Sequence, residues 1–121
     1  MLIQVDLLRS LVADIFAKAG CSPEESERIA RHLASANLTG HDSHGVIRVP
    51  RYVSWLESGN LRAGQNLTII SETDLITVVD GNRGFGQTIG EQAVQLGINK
   101  ALRSGISIVA LRQSGHLGRI G

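Results

Sequence analysis

The sequence predicts an α/β protein, with a helical N-terminal segment over residues 1–60 and the beginning of a mixed-sheet domain over residues 61–121. Three observations support this prediction. Apolar residues recur at helical spacing in the first segment, and β-prone runs begin after it. A strand, a long helix and a second strand then follow one another, which predicts a βαβ unit with parallel strands.

Two helices are predicted at the N-terminus. Apolar side chains repeat at helical spacing from Asp6 to Ala19, and Gly20 follows them as an end signal. Ser22-Pro23-Glu24-Glu25 predicts the start of the second helix, because serine caps the free N–H groups and proline suits the first turn. This helix is expected to end before Gly40 and to bury five apolar residues: Ile29, Ala30, Leu33, Ala36 and Leu38.

The third helical segment carries the residues with the most distinctive chemistry. His44, Arg48 and Tyr52 are four apart, so they share one face if the segment is helical throughout. Pro50 lacks an N–H donor, so a kink and a late helix start both remain open. An imidazole that titrates near neutral pH, beside a guanidinium that binds carboxylates, indicates chemistry on a small anion. The opposite, buried face is predicted to hold Val46, Val49, Val53 and Leu56.

The second half of the chain predicts a hairpin, a helix and a strand. Residues 67–70 and 75–79 are β-prone runs separated by a polar turn. Residues 85–103 have helical periodicity, and a buried strand is predicted from Ile106 to Leu111. Because a parallel sheet needs both faces covered and more than one crossover, this domain is expected to be incomplete and the chain to be the N-terminal part of a longer protein.

Composition excludes several classes of function. The net charge is +1 and the chain has four aromatic residues, so a nucleic-acid surface has little support. No run is apolar enough to span a membrane, and the N-terminus lacks the pattern of a signal peptide. Cys21 is the only cysteine, which excludes an internal disulfide. A cytoplasmic protein that binds neither nucleic acid nor membrane is therefore expected.

Two motifs are assigned to structure instead of to ligands. The glycines from Gly81 to Gly90 follow a strand and precede a helix, but their G-x-G-x-x-x-G spacing is one residue longer than a dinucleotide fingerprint. A tight strand-to-helix turn is therefore favoured over a phosphate cradle. His41 and His44 straddle a loop with few further ligands nearby, so no metal site is predicted.

His116 adds a second histidine to the candidate site. It lies between Gly115 and Gly118, just after a predicted parallel strand, where α/β proteins bind ligands. Residues 40–52, GHDSHGVIRVPRY, together with residues 115–119, GHLGR, resemble the malate/L-lactate dehydrogenase family. That family includes ureidoglycolate dehydrogenase, diketogulonate reductase and sulfolactate dehydrogenase, and it is distinct from the Rossmann-type lactate and malate dehydrogenases.

The resemblance implies an oxidoreductase that interconverts 2-hydroxy and 2-oxo acids, such as malate or lactate, with NAD or NADP. It implies a homodimer with a nicotinamide-binding domain of non-Rossmann type, whose beginning is the second half of this chain. Carried over residue by residue, His44 and His116 are the catalytic histidines, and Arg48 binds the substrate carboxylate, with Ser43 and Tyr52 lining the pocket. The residues that bind the cofactor stay unassigned.

A non-enzymatic module is the alternative. In that case the segment folds alone and serves in dimerisation or in the binding of small anions. Binding of 2-oxo acids without binding of a nicotinamide would favour the module, and a reading frame that continues far past residue 121 would favour the enzyme.

Overall fold

The computed structural model describes residues 2–120, and over that range it has four α-helices and three β-strands, which confirms the predicted α/β class. Two compact units are present, one of residues 2–64 with 118–120 and one of residues 65–117. Met1 and Gly121, the outer ends of the two predicted domains, lie outside the described residues, and that division stays a prediction. The elements are α1 (Val5–Lys18), α2 (Pro23–Leu38), α3 (Val49–Glu57), β1 (Thr68–Glu72), β2 (Ile76–Asp80), α4 (Gly86–Ser104) and β3 (Ile108–Arg112).

The first unit is built on α1 and α2, which pack against each other through the apolar faces that the sequence predicts. Phe16 on α1 and Ile29 and Leu33 on α2 are completely buried. Burying each of these side chains stabilises the unit by about 1.5–3 kcal/mol. The prediction that Leu38 is buried is wrong, because 68% of it is exposed. The buried face of α2 ends at Ala36, and helical periodicity does not tell where the packing partner ends.

The start of α2 follows from its capping residues. The Ser22 hydroxyl accepts a hydrogen bond from the Glu25 N–H at 3.2 Å, and Pro23 occupies the first turn, as predicted. The buried Glu25 carboxylate accepts a hydrogen bond from the Gly64 N–H at 2.7 Å. The first turn of α2 therefore also binds the backbone at Gly64, in the segment that follows α3.

Cys21 lies in the loop between α1 and α2 and is buried. Burial, then the negative charge of Glu25 and a hydrogen bond to it, raises the pKa of the Cys21 thiol from 9.0 to about 12. Burial disfavours the charged thiolate, and the nearby carboxylate repels it. The thiol is therefore protonated at neutral pH and is a poor nucleophile.

We expect the folded protein to lose stability as the pH rises from 9 to 12, the interval between the ordinary and the raised pKa of Cys21. Unfolding releases a thiol that ionises more easily, so this contribution to stability is complete below pH 9 and is lost as the pH approaches 12. Urea unfolding across this range measures the loss. The variant Cys21→Ser keeps a donor for Glu25 but does not titrate, so an equal loss in both proteins would contradict the assignment.

The second unit is a three-stranded mixed sheet with the order β1-β2-β3. β1 and β2 pair antiparallel, and β2 and β3 pair parallel, which confirms the predicted hairpin and the predicted βαβ unit. The helix α4 makes the crossover between the parallel strands. The sheet register places Asp80 beside Arg112 at the ends of β2 and β3.

One face of the sheet is packed and the other is open within this unit. Thr77 and Val79 of β2 are completely buried, as is Ile89 of α4. β3 alternates between exposed and half-buried residues, and 56% of Ile108 is exposed. The predicted strand from Ile106 to Leu111 is therefore wrong in extent, and its apolar side chains are partly exposed, as we expect where the sheet is incomplete. In a strand with one buried face, apolar and polar residues alternate. The first four residues of β3 are all apolar, so the sequence does not show that only one face is covered.

The start of α4 lies against the backbone that follows β3. A Cβ atom at Gly86 would collide with the carbonyl oxygen of His116 and with the Cα of Leu117. The Gly115 N–H also donates a hydrogen bond to the Gly84 carbonyl at 2.8 Å. Gly86 is thus required for close approach of two backbones, which agrees with the preference for a tight turn at this loop.

We expect Gly86→Ala to destabilise the second unit by about 2 kcal/mol or more, because the backbone at His116 and Leu117 must move to admit the methyl group. Gly90→Ala, on the same helix, is the matched control. There the added Cβ meets only the flexible Leu117 side chain, at 3.3 Å, and alanine favours the helix. Urea unfolding followed by circular dichroism compares the two variants. Equal stability of both would contradict the close approach.

Candidate active site

The segment between α2 and α3 carries three of the predicted site residues. It forms two short 3-10 turns, Asp42–His44 and Val46–Arg48, separated by Gly45 in an extended conformation. α3 begins only at Val49, with Pro50 in its first turn, so the late helix start is the outcome of the two that the proline left open. Thus His44 and Arg48 lie in separate turns.

The prediction that His44, Arg48 and Tyr52 share one helical face is therefore wrong. The extended backbone at Gly45, with ψ of −152°, interrupts the helix between His44 and Arg48. Tyr52 lies on α3 and is 1% exposed. The four residues predicted for the opposite, buried face, Val46, Val49, Val53 and Leu56, are half-buried.

Hydrogen bonds hold Ser43, His44 and Arg48 together. The Ser43 hydroxyl lies 2.9 Å from Nδ1 of His44. The Arg48 Nε–H donates to the Ser43 carbonyl oxygen at 2.6 Å. Ser43 thus contacts both residues, His44 through its side chain and Arg48 through its backbone. His44 and Arg48 are half-buried, which suits groups that are held in place and still reach a ligand.

Asn37, in the last turn of α2, was not singled out from the sequence. Its Oδ1 accepts a hydrogen bond from the Val46 N–H at 2.9 Å, and its Nδ2 donates to Oδ1 of Asp42 at 2.7 Å. A Cβ atom at Gly45 would collide with the Asn37 amide. An asparagine near the end of a helix and a glycine eight residues later are the only sequence signals of this contact, and neither is specific.

Tyr52 packs in the apolar core of the first unit. Its ring stacks on Trp55 with centroids 5.9 Å apart and lies 6.3 Å from the ring of Phe16. These contacts account for the burial of the ring. A role for Tyr52 in substrate binding stays a prediction.

His116 lies in the second unit, in the segment after β3. Its side chain is half-buried, and its backbone carbonyl lies at the start of α4, next to Gly86. Ser43, His44 and Arg48 belong to the first unit. The structure brings those three residues together, and the participation of His116 in the same site stays a prediction.

The ends of β2 and β3 are occupied by an ion pair. Arg112 donates from Nε to Oδ2 of Asp80 at 2.9 Å. The Asn82 N–H donates to Oδ1 of the same carboxylate at 2.8 Å. The hydrogen bond from the Asn82 backbone, and then the hydrogen bond and charge of Arg112, lower the pKa of Asp80. Both oxygens of Asp80 are therefore engaged in holding the ends of the two strands.

Neither a metal site nor a membrane-spanning helix is found among residues 2–120. No group of three or more His, Cys, Asp and Glu side chains in this range is arranged to hold a metal ion. Within the same range, every helix is too short or too polar to cross a lipid bilayer.

Comparisons with known proteins place the geometry in context. The family model of malate/L-lactate dehydrogenases matches residues 3–121. Hydroxycarboxylate dehydrogenase B of Escherichia coli O157:H7 is 41% identical over 114 residues, which are 94% of this chain and 32% of the relative.

Two solved structures of dehydrogenases have closely similar backbones over this chain. Sulfolactate dehydrogenase from Methanocaldococcus jannaschii superposes with a TM-score of 0.93 at 33% identity, over 100% of this chain and 35% of the other. Malate dehydrogenase from Pyrococcus horikoshii OT3 superposes with a TM-score of 0.91 at 35% identity, over 98% and 34% respectively. The chain thus spans about a third of the length of the relatives that it matches.

Proposed function

The chain belongs to the malate/L-lactate dehydrogenase family, and we propose that it supplies the proton-transfer and carboxylate-binding groups of an enzyme that interconverts 2-hydroxy and 2-oxo acids with NAD or NADP. The observation that carries the proposal is the double turn around Gly45, which holds an imidazole and a guanidinium beside one serine. Relatives that match this chain are named malate, sulfolactate and hydroxycarboxylate dehydrogenases.

Arg48 is the proposed anchor for the substrate carboxylate. A guanidinium presents its N–H groups in a planar fork that matches the two oxygens of a carboxylate. Because Nε of Arg48 donates to the Ser43 carbonyl, the side chain is fixed at one edge, and the terminal nitrogens are the groups that meet the substrate. An anchored carboxylate presents a defined face of the neighbouring carbonyl to the hydride donor.

A histidine is the proposed acid and base. Reduction of a 2-oxo acid creates negative charge on the carbonyl oxygen, and an imidazolium stabilises that charge and then supplies the proton. When Nδ1–H of His44 donates to the Ser43 hydroxyl oxygen, the imidazolium carries its transferable proton on Nε2, and the neutral ring has Nε2 free to accept one. Nε2 is then the atom that exchanges a proton with the substrate. His116 is the other candidate for this role.

The nicotinamide supplies the hydride when it is bound, and no described residue of this chain is assigned to hold it. The loop from Gly81 to Gly90 does not fit a pyrophosphate, because the His116 carbonyl and Leu117 fill the space beside Gly86. Arg112 is engaged by Asp80 and offers no phosphate site of its own. This supports the proposal that the cofactor-binding residues lie elsewhere in the full-length protein.

The resemblance to the family also leads us to propose a homodimer that acts in the cytoplasm. A single, buried cysteine suits a reducing compartment, since it has no partner of its own type in the chain. Sedimentation of the full-length gene product measures the oligomeric state, and a monomer at micromolar concentration would contradict the dimer.

Oxidation of NADH and of NADPH against a panel of 2-oxo acids tests the proposed reaction. The panel contains pyruvate, oxaloacetate and sulfopyruvate, and the protein is the full-length gene product. Oxidation that depends on one of the acids establishes the reaction and identifies both the substrate and the cofactor. A flat response to the whole panel would contradict it and would favour the small-anion-binding module.

Replacing Arg48 tests the carboxylate anchor. We expect Arg48→Leu to raise KM at least about tenfold, since it removes a charge-assisted hydrogen bond worth about 1.5–3 kcal/mol. Arg48→Lys keeps the charge but loses the planar fork, so its KM should lie between those of the other two proteins. Arg51→Leu is the matched control, because Arg51 is exposed and lies over the Trp55 ring, outside the double turn. Steady-state kinetics with an unchanged KM for Arg48→Leu would remove Arg48 from the site.

Replacing each histidine identifies the acid and base. We expect His44→Ala or His116→Ala to lower kcat about a hundredfold or more, because proton transfer by a positioned side chain contributes about that factor. His32→Ala, on α2, controls for the loss of an imidazole outside the predicted site. If the pH profile of kcat loses a limb in only one of the two variants, that histidine carries the proton. Near-normal rates in both would contradict the proposed mechanism.

A further inference from the structure

The side chain of Asn37, which lies outside the double turn, contacts it at two points. The candidate catalytic groups of the double turn lie on a segment with no regular helix between Leu38 and Val49 other than the two short turns. Short turns leave backbone N–H groups that need partners from elsewhere in the structure. Asn37 meets this need from the last turn of α2, a helix that is fixed by its packing on α1.

Both ends of the Asn37 amide are used. Oδ1 accepts from the Val46 N–H at 2.9 Å, and Nδ2 donates to Oδ1 of Asp42 at 2.7 Å. The two partners bracket Ser43, His44 and Gly45. The amide also has only one workable orientation, because its oxygen must face the Val46 N–H and its nitrogen must face the Asp42 carboxylate.

The contact reaches the proposed chemistry through the backbone. Ser43 lies between the two points that Asn37 holds, and its carbonyl oxygen accepts from Nε of Arg48 at 2.6 Å. Its hydroxyl contacts Nδ1 of His44. A shift of the turn therefore moves the guanidinium and the imidazole together. A misplacement of about 1 Å is enough to cost roughly a hundredfold in rate.

We propose that Asn37 is a positioning residue: it holds the double turn in the conformation that presents Arg48 and His44 to a 2-oxo acid. The inference rests on the proposed function, since it assigns Asn37 to the same reaction. Asn37 touches neither substrate nor reacting atoms in this role. Its effect passes through the backbone of residues 42–46, and Gly45 is required beside it because any Cβ there collides with the amide.

The pairing of Asn37 with Asp42 allows a test by exchange of the two side chains. Asn37→Asp places two carboxylates at hydrogen-bond distance and removes the donor to Asp42. Asp42→Asn keeps an oxygen that accepts from Nδ2 of Asn37, so its effect is mild. In the double variant, the amide introduced at position 42 donates to the carboxylate introduced at position 37, whose oxygens also accept from the Val46 N–H.

The experiment measures kcat and KM of the full-length gene product with its best 2-oxo acid. We expect Asn37→Asp to lower kcat/KM about tenfold to a hundredfold, through both KM and kcat, and the double variant to return to within about threefold of the unmodified protein. Asn99→Asp is the matched control, because Asn99 accepts from Gln95 on the exposed face of α4 and an Asp oxygen accepts equally well.

Two results would overturn the proposal. One is activity of Asn37→Asp within about threefold of the unmodified protein, and the other is a double variant that stays as inactive as Asn37→Asp. Thermal melting accompanies the kinetics, and if Asn37→Asp fails to fold, the double variant alone decides. A folded and active double variant supports the pairing, and an unfolded or inactive one contradicts it.

Amide hydrogen exchange at Val46 separates this inference from the proposed function. If the unmodified protein oxidises no reduced nicotinamide with any 2-oxo acid, the proposed function has failed. The exchange experiment still tests the position of the turn: we expect Val46 to be protected in the unmodified protein, unprotected in Asn37→Asp and protected again in the double variant. Equal exchange in all three proteins would overturn the inference on its own.

Discussion

The packing of α1 against α2 is the constraint on which the first unit depends. Phe16, Ile29 and Leu33 are completely buried, and this packing fixes the position of α2 against α1. The last turn of α2 carries Asn37, whose side chain hydrogen-bonds to residues 42 and 46. The candidate site therefore depends on an apolar contact: the helix pair positions the Asn37 amide, and the amide holds the two short turns at residues 42 and 46.

The sequence predicted the features of the fold that depend on local chemistry. Ser22 and Pro23 mark the start of α2 because a cap and a fixed φ angle act within one turn of helix. The hairpin follows from two β-prone runs separated by a polar turn, and the parallel pair from a helix of crossover length between two strands. Exposure was harder to predict. Leu38 continues a helical pattern past the end of its packing partner, and Ile108 belongs to an apolar strand that has one open face.

The candidate site was also predicted only in part. His44 and Arg48 were singled out from residue type and spacing, and Ser43 from the resemblance to the family. The prediction that His44, Arg48 and Tyr52 share a helical face was wrong, since the extended residue Gly45 interrupts the helix between His44 and Arg48. Asn37 was missed because its role consists of two contacts, one of them to a backbone N–H nine residues away. Neither contact leaves a periodic or compositional mark in the sequence.

The mixed pairing of the sheet imposes an order in time as well as in space. β1 and β2 are separated by three residues, 73–75, so the hairpin closes at a small entropic cost as soon as both strands exist. β3 can join β2 only after residues 81–112 have been made, including the whole of α4. At ordinary rates of synthesis on the ribosome this takes roughly 2–6 s. During that interval the edge of β2 that later binds β3 has unpaired backbone N–H and C=O groups. The newly made hairpin is therefore the folding intermediate in which this chain pairs most easily with a wrong strand.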